Sequence, residues 1–180
     1  MASSTRPDWR GSLVESYPDL FGPVGDPPAA AGWPCCGDGW RDVLERACVR
    51  IRAAVEADGG TVRIVSVQEK YGTLRIDWRG APSPDVAARL EEAVDLAEAR
   101  SATTCDVCGA FGVLRGGGWL ATRCAAHAEG RPAIEFEEGF ENLQVERRLV
   151  GGRWRSRFRF YDRSDDRFVE LGRPRRRPSE

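Results

Sequence analysis

Cys105-Asp-Val-Cys108-Gly109 and Cys124-Ala-Ala-His127 are the stretches that decide how this chain is organised. Each pair has two residues between its members, and fifteen residues separate Cys108 from Cys124, within the usual window of a zinc site. A C-x-x-C-G turn is a knuckle: its two thiolates point at a common centre, and the glycine relieves the tight bend. Between the pairs, Gly112-Val-Leu-Arg115 and Trp119-Leu-Ala-Thr122 flank Gly116-Gly117-Gly118 and read as a short hairpin. Cys124 to Ala128 then read as the first turn of a helix. Knuckle, hairpin and helix in that order make a treble-clef-like module over 104–131. Three thiolates and an imidazole closing a tetrahedron favour one structural zinc ion, because a closed Cys3His shell leaves no position for a substrate. Two other readings compete: a redox C-x-x-C pair beside an unrelated Cys and His, and a disulfide scaffold. The second suits a secreted chain, and the opening Met1-Ala-Ser-Ser-Thr-Arg-Pro-Asp8 has no apolar signal region.

Upstream, residues 38–103 read as an α-β-β-α unit. Asp38-Gly39 opens a helix whose Trp40, Leu44, Ala47, Cys48, Ile51 and Val55 share one face, and Asp58-Gly59-Gly60 ends it. Thr61–Gln68 and Thr73–Trp78 are β-branched runs around the turn Glu69-Lys70-Tyr71-Gly72, a hairpin whose second strand alternates Leu74, Ile76 and Trp78 with Arg75 and Asp77. Ser83-Pro84 pairs a hydroxyl N-cap with proline at the first helical position; Val86, Leu90, Ala93, Val94 and Ala97 form the buried stripe. Residues 1–37, with proline at 7, 18, 23, 27, 28 and 34, read as an extended leader anchored by Tyr17, Leu20 and Phe21.

Downstream, 132–172 read as an antiparallel meander. Gly151-Gly152 suits a two-residue type I′ turn and sets the register, Val150 opposite Arg153 and Leu149 opposite Trp154. One face then carries Leu143, Val145, Leu149, Trp154, Phe158 and Phe160. The other carries Gln144, Glu146, Arg148, Arg153, Arg155, Arg157 and Arg159. Arg167–Leu171 follow as a third strand, and 173–180 form a basic, disordered tail. The fold expected is therefore α+β: a helix–hairpin–helix unit, a zinc module and a C-terminal antiparallel β-meander.

Charge and composition bound the function. The chain has 180 residues, 41% hydrophobic and 31% charged, enough for a real core and no run long enough to span a membrane. A soluble, cytoplasmic protein is expected. Its net charge of −1 divides into +6 over residues 143–180 and −7 over the rest. That split suggests an acidic partner for the C-terminal part or complementarity between the halves. The expected binding surface is the arginine face, Arg148, Arg153, Arg155, Arg157 and Arg159, because like charges directly opposite need a compensating group. Nucleic acid would compensate, with Tyr161 nearby for stacking and the Arg173–Arg177 tail on phosphates. An acidic protein would also serve, as would an internal acidic segment at Glu135, Glu137, Glu138 and Glu141.

The single histidine excludes machinery that needs two imidazoles. Lys70, the only lysine, stands with Asp58 and Gln68 near the first hairpin and resembles part of a metal-dependent nuclease pattern, with glutamine where that pattern wants an acid. The plainer reading is a solvated turn. Cys48 reads as core. Cys35-Cys36 read either as a second metal or redox site or as a buried turn.

The string Cys36-Gly-Asp-Gly-Trp40, Glu69-Lys-Tyr-Gly-Thr-Leu-Arg75, Ala97-Glu98, Ser101 and Thr104-Cys-Asp-Val-Cys-Gly109 resembles a family of short uncharacterised bacterial and phage proteins. The resemblance covers roughly 16–128 and implies a zinc-binding C-x-x-C-G module on a small α+β unit, with no activity attached. Three functions stand: a non-catalytic zinc-stabilised binding or adaptor protein, a nuclease-like enzyme using Lys70, and an interaction partner of a toxin or phage component.

Overall fold

The computed structural model describes residues 8–22, 31–57, 60–137, 140, 142–150 and 152–171. The 173–180 tail, much of the leader (1–7 and 23–30), Asp58-Gly59, Glu138, Glu141 and Gly151 lie outside the described residues. The fold is α+β, with helices, a Cys/His cluster and a C-terminal antiparallel sheet.

Although Pro34–Cys35 near its end are extended, residues 8–22 of the 1–37 leader are not. They form helix α1 (Trp9–Ser16) and the short α2 (Pro18–Phe21). Asp8 caps α1 by accepting the Arg10 amide at 3.2 Å, and Pro18 supplies the first position of α2. Leu13, Val14, Leu20 and Phe21 are buried in the main core, so this segment is a structural layer. Its two helices are short, which leaves too few apolar positions to show a period.

A single 3-10 turn at Asp38–Trp40 leads into α3 (Arg41–Glu56), which buries Val43, Leu44, Ala47, Cys48, Ile51 and Ala54. The helix proper thus starts later than Asp38-Gly39 suggests, and Val55 is only half-buried. Strands β2 (Val62–Lys70) and β3 (Thr73–Gly80) pair antiparallel, with a bulge between Ile64 and Ser66. The strands run further than read: the turn is Tyr71-Gly72 alone, both at positive φ (55° and 82°) as a type I′ hairpin demands. A two-residue strand β1 (Pro34–Cys35) adds to β2 in parallel. Helix α4 (Pro84–Ser101) opens on the Ser83 hydroxyl, which accepts the Val86 amide, and buries Val86, Leu90, Ala93, Leu96, Ala97 and Ala99. Side chains of α1–α4 and of β2–β3 meet in one apolar cluster around Trp40, Leu44, Ile51, Ile64, Leu74 and Leu90.

Two sheets follow. Strands β4 (Val113–Arg115) and β5 (Ala121–Arg123) form the small hairpin between the cysteine pairs. Strands β6 (Leu143–Val150), β7 (Arg153–Asp162) and β8 (Arg167–Leu171) form the meander, with Val150 opposite Arg153 and Leu149 opposite Trp154. The meander docks on α4 by its arginine face. Arg159 is 3% exposed between Glu92 and Asp95 of α4, and its guanidinium lies 4.0 Å from the Phe168 ring centroid. The β7–β8 turn closes the dock: Asp166 accepts from Arg50 and from the Tyr161 hydroxyl, each at 2.7 Å, and lies 3.5 Å from Arg100. No helix among the described residues is long and apolar enough to cross a membrane.

Candidate metal centre

The knuckle bends by backbone bonds of its own. The Gly109 amide donates to the Cys105 carbonyl at 3.0 Å, and the Cys105 amide to that of Ala110 at 2.8 Å. Gly109 has φ 77°, the left-handed region that a side chain disfavours. Strand β5 delivers Cys124 directly, and His127 follows on a single 3-10 turn, Ala125–His127. The longer helix expected after Cys124 is absent here. Gly130, itself at positive φ, and Pro132 follow within a few residues, and both break helices.

Cys105, Cys108, Cys124 and His127 present one ligand atom each, all within 4.8 Å of one another. The Cys108–Cys124 Sγ separation is 3.8 Å, and His127 Nδ1 lies 3.6 Å from Cys105 Sγ and 3.2 Å from Cys124 Sγ. Zinc bonds of about 2.3 Å to sulfur and 2.0–2.1 Å to nitrogen, set at tetrahedral angles, give edges of about 3.8 Å and 3.6 Å. The donor set and its spacing fit such an ion. The contacts within the cluster move two of its thiols in opposite directions. Desolvation pushes the Cys124 thiol up, but hydrogen bonds from His127, Cys108 and Cys105 outweigh it and bring it down to about 6. Cys108 moves up: the Ala110 amide favours its thiolate, but desolvation and the bonds to Cys105 and Cys124 prevail.

The residues around the cluster hold it to the body. Gly37 and Gly39 lie flat on the back of the knuckle. A Cβ on Gly39 would sit 2.6 Å from the Gly109 nitrogen and 2.8 Å from that of Cys108, and one on Gly37 would overlap the Asp106 carbonyl. The Gly39 amide donates to Asp106 O at 2.9 Å, and the buried Trp40 donates its Nε1–H to Thr104 O at 2.8 Å. From the first hairpin, Glu69 accepts the Gly72 amide at 2.7 Å and the Trp119 indole at 3.0 Å, while Thr122 donates to Gly72 O at 2.7 Å. Ser101 accepts the Leu74 amide at 2.8 Å, and Arg75 pairs with Glu98. Asp106 pairs with Arg123 at 3.2 Å, though burial pushes its carboxyl up against that pull. Sequence reading named the four residues that come together in this cluster. It missed this clamp, whose signal was the run of glycines beside a tryptophan at 37–40.

The other candidate residues fall apart. Lys70 is exposed at the hairpin tip, its Nζ 5.8 Å from the Tyr71 ring centroid, while Glu69 faces the β4–β5 hairpin and Gln68 donates to Ser66. Cys35 is exposed; Cys36 is half-buried, and burial pushes its thiol up to about 12, as it does for the buried Cys48. Among the described residues, the Cys3His group is the one metal-ligand cluster of three or more.

Two of the five arginines of this face are paired from within. Arg159 is buried against α4, and Arg157 pairs with Glu170 and Glu146. Their partners lie on α4, β6 and β8; of the acidic segment, Glu135 and Glu137 are exposed, and Glu138 and Glu141 lie outside the described residues. Arg153 and Arg155 project from the exposed hairpin end, and the Arg148 side chain is outside what is described. Tyr161 is buried and unavailable for stacking; burial, aided by its bond to Asp166, pushes its hydroxyl up to about 12. Compared with family models, curated proteins and solved structures, the chain matches none.

Proposed function

We propose that this chain is a non-catalytic binding protein whose fold is closed by one zinc ion on Cys105, Cys108, Cys124 and His127, in a treble-clef-like module. The observation that carries the reading is the convergence of three sulfurs and one nitrogen within 4.8 Å of one another, with the Cys108–Cys124 and Cys105–His127 separations at the edge lengths of a zinc tetrahedron. The bound ion supplies cross-linking, tying the knuckle to the 3-10 turn. The four ligands fill its shell, and the only imidazole of the chain is one of them. Three ligand thiols suit a reducing, cytoplasmic compartment. The clamp supports reading the motifs shared with the short bacterial and phage proteins as a fold signature, since Gly37, Gly39, Trp40, Glu69, Gly72, Arg75, Glu98 and Ser101 each make a structural contact. The binding surface in this reading is the β6–β7 end, where Arg153 and Arg155 are free for an acidic ligand.

Native mass spectrometry tests it. One zinc per chain is expected, lost in Cys105→Ser together with cooperative thermal unfolding. A metal-free protein with a Cys105–Cys108 disulfide would overturn it.

A further inference from the structure

The fold holds the residues of the Cys3His cluster with unequal firmness. Cys105 is 0% exposed and walled on two sides. A Cβ on Gly39 would overlap its carbonyl oxygen, and one on Gly112 would sit 2.9 Å from its nitrogen. Its carbonyl and amide are both tied within the knuckle, to Gly109 and Ala110. Cys108 is exposed at the other end of the knuckle. Cys124 is half-buried and opens the 3-10 turn Ala125–His127, none of whose residues is buried. One thiol is thus locked into the body, and two share the solvent side with their sulfurs 3.8 Å apart.

A disulfide brings two sulfurs to about 2.05 Å, so at least one partner must shift. The 3-10 turn is free to do so, because nothing buries it. Cys105 cannot close on Cys108 without pulling the knuckle away from Gly39 and Gly112. Access favours the same pair, since an oxidant arriving from solvent meets Cys108 first. Metal ligation keeps these groups as thiolates, the form that attacks a peroxide.

We propose that Cys108 and Cys124 are a peroxide-sensitive pair that exchanges the metal cross-link of this module for a disulfide. The proposal rests on the zinc reading of the cluster and names its regulation. The Cys108 thiolate attacks one oxygen of hydrogen peroxide; the O–O bond breaks, leaving a sulfenic acid and hydroxide. The Cys124 thiolate then attacks the Cys108 sulfur. The S–O bond breaks, the S–S bond forms and a second hydroxide leaves. Two thiolates lose one electron each, and one peroxide takes up both. Cys105 and His127 remain as ligands, too few for a closed shell, and the metal is given up. The new bond joins the knuckle to the 3-10 turn, the two pieces that the metal joins, so the module stays closed. A Cys105–Cys108 bond, the link that a C-x-x-C motif invites, would leave the turn untethered.

The test uses the full chain carrying Cys35→Ser, which removes the other exposed thiol. Zinc content is measured on protein isolated under reducing conditions, and excess hydrogen peroxide is then added with a chromophoric chelator present. Digestion after Arg and before Asp puts Cys105 in 101–105, Cys108 in 106–115 and Cys124 in 124–147, since proline follows Arg131. Mass spectrometry is expected to find 106–115 joined to 124–147, with one zinc released per link. Cooperative thermal unfolding is kept, and dithiothreitol restores zinc binding. Cys124→His keeps four ligands and abolishes the link, leaving Cys108 as a sulfenic acid that dimedone labels. The peptide map on the Cys35→Ser chain stands whether or not that variant folds. The proposal is overturned by a link to Cys105, by zinc release without the Cys108–Cys124 link, by thiols that resist peroxide, or by an oxidised protein that melts without cooperativity. Zinc-loaded protein that fails in any of these ways sinks this inference alone, whereas protein isolated without zinc sinks the metal reading.

Discussion

Arg159→Ala is the perturbation on which the orientation of the meander can be judged. In sequence Arg159 and Arg155 are equivalent, two arginines on one hairpin face. In the structure Arg155 is exposed, while the Arg159 side chain retains 4% of its surface and holds Glu92 and Asp95, whose side chains stay 45% and 34% exposed. Removing one partner of a buried pair costs about 3–5 kcal/mol because the remaining charge is stranded. The two acids here keep solvent, which lowers the cost to roughly 2–3 kcal/mol. Loss of the Phe168 stacking contact lies within that range. Arg155→Ala should stay within about 0.5 kcal/mol of the parent. At about 2–4 °C per kcal/mol for a chain of this size, Arg159→Ala lowers Tm by roughly 5–10 °C. Urea unfolding of the zinc-loaded protein, followed by circular dichroism and tryptophan fluorescence, measures both variants. Equal losses at the two positions would refute the docking of the arginine face on α4.

Three further outcomes follow from the geometry. Gly39→Ala, forced against the Gly109 and Cys108 nitrogens, should displace the knuckle and weaken zinc about 10–100-fold, as supporting-shell changes do, in competition with a chromophoric chelator. Asp166 is pushed up by desolvation but held below the usual carboxylate range by the Tyr161 hydrogen bond and the Arg50 and Arg100 charges. Its folded value is therefore the lower one: its contribution is full above about pH 3.9 and fades as pH falls through the folded value. The stability gap between the parent and Asp166→Asn should be flat from pH 5 to 8 and shrink below about pH 4, read from urea midpoints. Lys70→Ala, at an exposed tip, should leave both zinc content and unfolding midpoint within about 0.5 kcal/mol of the parent.

What was legible in the sequence was local. The four ligands stand in two short pairs, and Ser83-Pro84 and the Gly-Gly turn each fix geometry within a few residues. The register of β6 and β7 follows from that turn alone. Which face of the meander meets the body does not. An apolar face and an arginine face each suit burial or solvent depending on the neighbour, and here the neighbour is the Glu92 and Asp95 side of α4. The leader was misread for a related reason. Leu13, Val14, Leu20 and Phe21 show no period across the break at Tyr17-Pro18, and only the core they enter reveals them as helical. The clamp on the knuckle joins residues far apart in the chain, as in the Trp40–Thr104 hydrogen bond, and local patterns carry no record of such distances.

The ligands are not equally accessible. Cys105 is fully buried, walled in by the Gly37–Trp40 loop, whereas Cys108 is exposed and Cys124 and His127 are half-buried. A chelator reaching in from solvent therefore meets three ligands, while the fourth keeps its hold until the loop moves away. Metal stripping should run fast at low chelator and then level off as chelator is raised, its ceiling set by how often the protein opens that loop. A zinc ion bound there would serve as an internal clock of that opening, and Gly39→Ala would make it run faster.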